Sequence, residues 1–455
     1  MTSPNQLGQA PVKTLFFQNY GPAIISLLSS IIHQVINGVI LGQYVGKEGV
    51  AAVGLYGPVV IVLIALSLPI MIGGGVLIGK SIGAGDIQNV QQVFQFATTL
   101  VILMGGFVAI LAPFSAIPLA RFLAGANNQT LAENTADYAF WQLVSLPFFF
   151  IGMIWGNFVR ANNAPKVSRN ASILAAATNI ILDLILIVGL DLGVRGASIA
   201  TAAALSAGAA YLFVFISKGS THLSFSTFRF TLKLPQWREF IKIGLPSFAS
   251  EIAFSAGLLF INQSLIHYGA AAVAAFGLVN YLSFLLIRPF TAAMIAALPI
   301  MSFNIGAKQP QRVLETLRFS IGFTVLLGIV VTAIGLFISD QLIGLFSGDQ
   351  NIAFRKIANQ AMSLYFLLFL AAGPNYLFAA FLQSTGKTVL SLCVNLFKGF
   401  LFVVPALAIL PDHFGLPGIW LSRSLAEILT MILVAAYTMY YRSRYYSANA
   451  IVPNI

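Results

Sequence analysis

Charge is what this chain has least of. Of its 455 residues only 8% are Asp, Glu, Lys or Arg and 58% are hydrophobic, too few water-compatible groups to cover a soluble domain. Cys393 is the one cysteine, which excludes a disulfide framework and any thiol cluster for a metal. His33, His222, His267 and His413 are scattered without ligand spacing, so no metal site is expected. No glycine-rich loop runs into Lys followed by Ser or Thr, so a nucleotide-driven pump is excluded within this chain. No catalytic residue set is expected, and with it no enzyme. Short alternating segments of about ten residues, the mark of barrel strands, are missing too, and no small-residue cleavage pattern follows the first apolar run.

What is there is apolar sequence in long runs such as AAVGLYGPVVIVLIALSLPIMIGGGVLI. A helix needs roughly 20 apolar residues to cross about 30 Å of hydrocarbon, and only helices satisfy their backbone polar groups over such lengths. The runs predict twelve spans: 14–44, 51–78, 91–118, 136–159, 167–190, 196–217, 236–266, 271–300, 313–338, 356–384, 388–411 and 415–441. The net charge of +11 could suggest nucleic acid, but the basic residues follow topology instead. Lys80, Arg160, Lys166, Arg169, Arg229, Lys233, Lys308, Lys387 and Arg442 fall on one side of the twelve-span plan, against Lys47, Arg121, Arg195, Arg355 and Lys356 on the other. The excess of Lys and Arg on cytoplasmic loops then puts both termini in the cytoplasm, and no nucleic-acid partner is expected.

Laid on itself with a shift of 223 residues, the chain repeats. Gly46 meets Gly269, Val50 meets Val273, Ala51 and Ala52 meet Ala274 and Ala275, and IGAGDIQNV from residue 82 meets IGAKQPQRV from residue 305. With a shift of 222, Gly193 and Gly196 meet Gly415 and Gly418. The expected organisation is an N-terminal six-helix half, 1–217, a polar basic linker, 218–235, and a C-terminal six-helix half, 236–455. Halves related in this way commonly rock about a central substrate site, which argues for a carrier over a channel or receptor.

The segments ILGQYVGKEGVAAVGL, GKSIGAGD, GLPSFASE, NIILD and GVRGASIAT, together with the six-plus-six plan, resemble the multidrug and toxic compound extrusion family along essentially the whole chain. NIILD resembles its bacterial proton-coupled branch, the DNA-damage-inducible subfamily. The resemblance implies an all-α polytopic membrane protein of the bacterial inner membrane, with two pseudo-symmetric six-helix bundles in a V. It implies a monomer among membrane lipids that exports amphipathic, often cationic, drugs and toxic compounds by antiport with protons and carries no cofactor. Sodium-coupled antiport and the flipping of a lipid-linked precursor are the alternatives.

The same branch implies an ion site in the N-terminal half built from an acid on the first helix and an Asn and Asp on the fifth. Asn179 and Asp183, four residues apart and so on one helix face, match the latter pair, and Thr201 matches a further position. An acid inside a span is a functional site by default. Where the branch has an acid on the first helix this chain has Asn37, whose amide resembles a protonated carboxyl but does not titrate. Asn19, Ser26, Ser30, His33 and Asn37 form a polar stripe at helical spacing, which predicts a cavity or a polar helix facing it. His33 and Tyr138 are cavity candidates in the N-terminal half, and Glu251 in the C-terminal half as a packing hydrogen bond or a secondary cation site. Arg423 and Glu427 are expected to pair, and Lys398 and Arg288 to snorkel or pair. Under the repeat Asn37 faces Phe260 and Asp183 faces about Pro405, which predicts an ion site in the N-terminal half alone. Pro22 removes a helix hydrogen bond and is the expected hinge of the first helix.

Overall fold

The computed structural model describes residues 6–125, 128–219, 221–347 and 352–444. Among them, eleven helices are long and apolar enough to cross a membrane, and a pair bent by 50° brings the number to twelve if it is one span. The helices are α1 (Val12–Tyr44), α2 (Lys47–Gly83), α3 (Ile87–Ala124), α4 (the bent pair Gln129–Val144 and Leu146–Ala161), α5 (Pro165–Gly189) and α6 (Gly193–Ser217). The second series is α7 (Trp237–Ile266), α8 (Ala270–Gly306), α9 (Pro310–Phe337), α10 (Phe354–Ser384), α11 (Thr388–Phe414) and α12 (Leu416–Arg444). No strand occurs among the described residues.

The sequence repeat is also a repeat of backbone geometry. Gly46 and Gly269, Gly85 and Lys308, and Asn163 and Gly386 each stand 223 residues apart, and every one has positive φ. Gly193 and Gly415, 222 apart, do the same. The left-handed turn at each site is retained in both halves even where one copy has a side chain, at the steric cost such a residue carries.

Two compact units result, and each includes a short stretch of the other's leading helix. The first comprises residues 1–7 and 21–244, and the second residues 8–20 and 245–455. In the first unit the segment after α6 is strapped to α3. Gln91 donates to the Ser224 carbonyl and accepts from its N–H, Gln95 donates to the Thr227 carbonyl, and the Thr231 N–H donates to Thr99 Oγ1. Phe225 and Phe228 close on Phe94 beneath these bonds. In the second unit Phe16 packs edge-on against Phe319 and Phe323, at 5.3 Å from each.

Lipid tails are as apolar as Leu, so helices in a bilayer associate chiefly by close packing. Glycine makes that possible here. A Cβ on Gly105 would stand 2.7 Å from Cα of Pro147, and one on Gly328, at the equivalent repeat position, 2.3 Å from the carbonyl oxygen of Phe369. Gly328→Ala is therefore expected to destabilise the second unit by about 1–3 kcal/mol, the usual range for overpacking a closed contact. A melting curve in detergent that matches the parent protein would show that this crossing tolerates a methyl group. Around the contact lies an aromatic core in which Phe276 stacks on Trp420 and Phe290 on Phe369.

Outside the spans, Asp340 accepts from Asn359 and from Arg355, at 2.8 Å each. The Asn359 amide first, and then Arg355, hold its carboxyl below the usual carboxylate range. This link contributes stability above the ordinary carboxylate pKa and loses it as pH falls through the lowered value.

Candidate functional site

Asp183 is the last α-helical residue of α5; the next turn, Leu184–Gly189, is a π-helix. Such turns widen the backbone spacing and recur at functional sites. Asp183 is 0% exposed and Asn179, one turn earlier, 1%. With its amide oriented so that nitrogen meets the carboxylate, Asn179 donates to Asp183 Oδ2 at 3.2 Å, and its oxygen accepts from the Thr201 backbone N–H at 3.3 Å. Thr201 Oγ1 in turn donates to the Ala197 carbonyl at 3.0 Å. Asn179, Asp183 and Thr201 thus form one connected group between α5 and α6. The other carboxylate oxygen, Asp183 Oδ1, is buried and has no hydrogen-bond partner among the described residues.

Tyr138 joins the group from α4. Its ring meets Tyr56 of α2 edge-on at 5.5 Å, and it lies within electrostatic reach of Asp183. Two more hydroxyls, Tyr56 Oη and Thr135 Oγ1, are buried in the unit and have no hydrogen-bond partner among the described residues. Thr135 precedes Tyr138 by three residues and so shares its helix face. Sequence reasoning missed Tyr56 and Thr135. Tyr56 stands as a lone hydroxyl in an apolar run and Thr135 in a polar stretch, so neither is singled out, and they lie on two different helices.

His33 and Asn37 are not drawn into the group. Both are half-buried on α1; His33 Nδ1 donates to the Ser29 carbonyl at 3.1 Å, and Asn37 makes no side-chain hydrogen bond among the described residues. The polar stripe of α1 is largely satisfied by its own helix, with Asn19 donating to the Leu15 carbonyl and Ser30 to that of Ser26. Such back-bonding to the preceding turn removes the need for a polar neighbour. Near its C-terminal end α1 meets the site through apolar groups, with Ile40 and Leu41 packed on Ile187 and Ala197. Pro22 is buried inside a helix that runs without a break from Val12 to Tyr44.

Glu251 belongs to the second unit, half-buried on α7 within electrostatic reach of Arg288 and Lys398. There, Arg423 and Glu427 pair at 3.4 Å as their spacing predicts. Lys398 does not snorkel to the surface; it is 2% exposed, with its ammonium 3.6 Å from the centre of the Tyr376 ring.

Chemically, the first-unit group offers a carboxylate with one oxygen held and one open to a proton. The neighbouring amide and hydroxyl oxygens are also of the kind a hard monovalent cation accepts. Among the described residues no group of three or more His, Cys, Asp or Glu could hold a metal ion.

The MatE family model matches the chain twice, over residues 22–185 and 246–408, once in each half. A multidrug export protein, MepA, of Staphylococcus aureus (strain bovine RF122 / ET3-1) is 30% identical over 432 residues, covering 93% of this chain and 92% of that protein. The Staphylococcus haemolyticus protein of the same name is 27% identical over 93% of this chain and 92% of its own length. The solved structure of a MOP superfamily transporter from Pyrococcus furiosus superposes with a TM-score of 0.88 at 21% identity, over 97% of this chain and 98% of that one. With a family match in both halves and a relative alike along nearly the whole length, the chain is a member of the MatE family.

Proposed function

We propose that this protein exports small amphipathic organic compounds, cationic ones included, across the bacterial cytoplasmic membrane in exchange for protons, and that Asp183 takes up the proton. The observation that carries the reading is the Asp183 carboxylate, wholly buried within a membrane-spanning helix and holding one oxygen without a partner. Charge in such a place is costly, and acids kept there mark ion pathways and proton relays. The relatives named as multidrug export proteins support the substrate class. Asn37 is an amide, so α1 brings no second acid to this step.

The partnerless hydroxyls of Tyr56 and Thr135 favour a second reading, in which neutral oxygens help Asp183 hold a sodium ion. Inverted membrane vesicles separate the two. A cationic dye is expected to be transported under an imposed pH gradient and not under a sodium gradient alone; the reverse result replaces the proton by sodium.

Pro22 is the hinge of α1 in this proposal. Proline inside a helix removes one backbone bond and costs about 3 kcal/mol relative to a continuous helix, so bending there meets less resistance than elsewhere. Pro22→Ala is expected to lower efflux severalfold while leaving the melting temperature equal or higher. Efflux at the parent rate would remove Pro22 from the mechanism.

A further inference from the structure

The second unit holds a second buried charged group, drawn from five of its helices. Within it Arg423 and Glu427 are accounted for. Arg423 Nη1 donates to the carbonyls of Lys398 and Gly399 at 2.7 and 3.4 Å, and its Nη2 reaches Glu427 Oε1 at 3.4 Å. The other Glu427 oxygen accepts from Asn375 at 2.7 Å. That leaves two bases and one acid.

The two bases are held by aromatic faces. Lys398 lies over Tyr376, and the guanidinium of Arg288 lies 3.8 Å from the centre of the Phe284 ring. An aromatic face attracts a cation but accepts no conventional hydrogen bond. Lys398 Nζ and Arg288 Nε are both buried atoms without a hydrogen-bond partner among the described residues. Glu251 is near enough to act on both electrostatically, and Glu427, although paired with Arg423, also acts on Lys398, yet no ion pair within 4.0 Å joins Glu251 to either base. Lys398 is buried, while Arg288 and Glu251 are half-buried.

An ammonium in the interior without an acceptor is stabilised by an anion that supplies one. We propose that the second unit binds an anionic group, a carboxylate or a comparable small anion, between Lys398 and Arg288, and that Glu251 is the internal acid competing with it. The aromatic rings beside both bases suit the apolar body of an amphipathic ligand. The site would extend the substrate range to acids and zwitterions. Glu251 then acts on affinity through competition, in place of holding a cation.

The test uses the purified full-length protein in lipid nanodiscs, with fluorescein as the carboxylate probe and a rhodamine ester, cationic on the same ring system, as the control. Fluorescence anisotropy is expected to show saturable fluorescein binding. Losing one charge-assisted hydrogen bond corresponds to about tenfold or more in affinity, so Lys398→Met should weaken fluorescein by at least that factor, and Lys398→Arg should restore most of it. Glu251→Gln should tighten fluorescein severalfold, and the rhodamine ester should not respond to Lys398→Met. Competition identifies the source of the anionic group: displacement by millimolar chloride points to a free small anion, and indifference to chloride to the carboxylate of an organic substrate. Absence of saturable binding to the parent protein overturns the proposal, as does unchanged affinity in Lys398→Met and Glu251→Gln. Should Lys398→Met fail to fold, Glu251→Gln decides alone, and equal or weaker binding there sinks the idea. No ion gradient enters this assay, so its failure leaves the role of Asp183 untouched.

Discussion

Asp183→Asn is expected to reduce gradient-driven efflux to the background of empty vesicles while the protein still inserts and folds. The amide nearly copies the carboxyl in shape and can keep a hydrogen bond to the Asn179 group, so the structural loss should stay near the worth of one neutral hydrogen bond, about 1 kcal/mol. What it loses is the ability to exchange a proton near neutral pH. Because Asp183 is fully buried and Asn37 on α1 is also an amide, no second acid described in the first-unit group can replace it. Parallel melting curves separate the two effects, and undiminished proton-driven efflux by a folded variant would move the coupling site elsewhere.

Arg423→Met should have the largest effect on stability. Both members of the Arg423–Glu427 pair are buried, and removing one partner of such a pair typically costs about 3–5 kcal/mol, because the other is left as an uncompensated charge. Here the loss is compounded. Arg423 also donates to the Lys398 and Gly399 carbonyls, which lie in the π-helical turn Phe397–Leu401 of α11. Glu427 would keep only the Asn375 amide as a side-chain donor. A fall of many degrees in the detergent melting temperature is expected, and combining Arg423→Met with Glu427→Leu should recover much of it, since a buried pair replaced whole is often neutral. A single variant that melts with the parent would show that the network does not hold the second unit together.

Much of the fold was legible because hydrocarbon imposes a simple rule on composition. The span expected at 14–44 is the helix Val12–Tyr44, and the one at 388–411 is Thr388–Phe414. What composition could not show are the breaks inside spans. The fourth span bends at Ser145 and the eighth is interrupted at Ile287, each just ahead of a proline, Pro147 and Pro289. Those prolines were the available signal, but the apolar runs continue across them. The π-helical turns left no signal, since a changed hydrogen-bond register needs no particular residue type.

The group around Asp183 was partly legible for a similar reason. Asn179 and Asp183 share one helix, so their spacing alone places them together. Thr201 came from the resemblance, and Tyr56 from neither, because helix periodicity says nothing about which distant helix faces which. The stripe on α1 is ambiguous in another way. Its serines and asparagine have the right period to face a partner, yet hydroxyl and amide groups can turn back to their own carbonyls, and the period cannot distinguish the two.

The exchange of leading turns between the two units has a consequence for how the protein is made. Residues 8–20 leave the ribosome before the rest of their unit, which resumes at Leu245. Phe16 therefore waits for Phe319 and Phe323 through the synthesis of roughly three hundred intervening residues, while the first unit is completed only when Gly244 has emerged. A duplication of this kind no longer yields two separable parts: a nick in the linker leaves each fragment carrying a piece of the other, so separately expressed halves must find one another before either is whole.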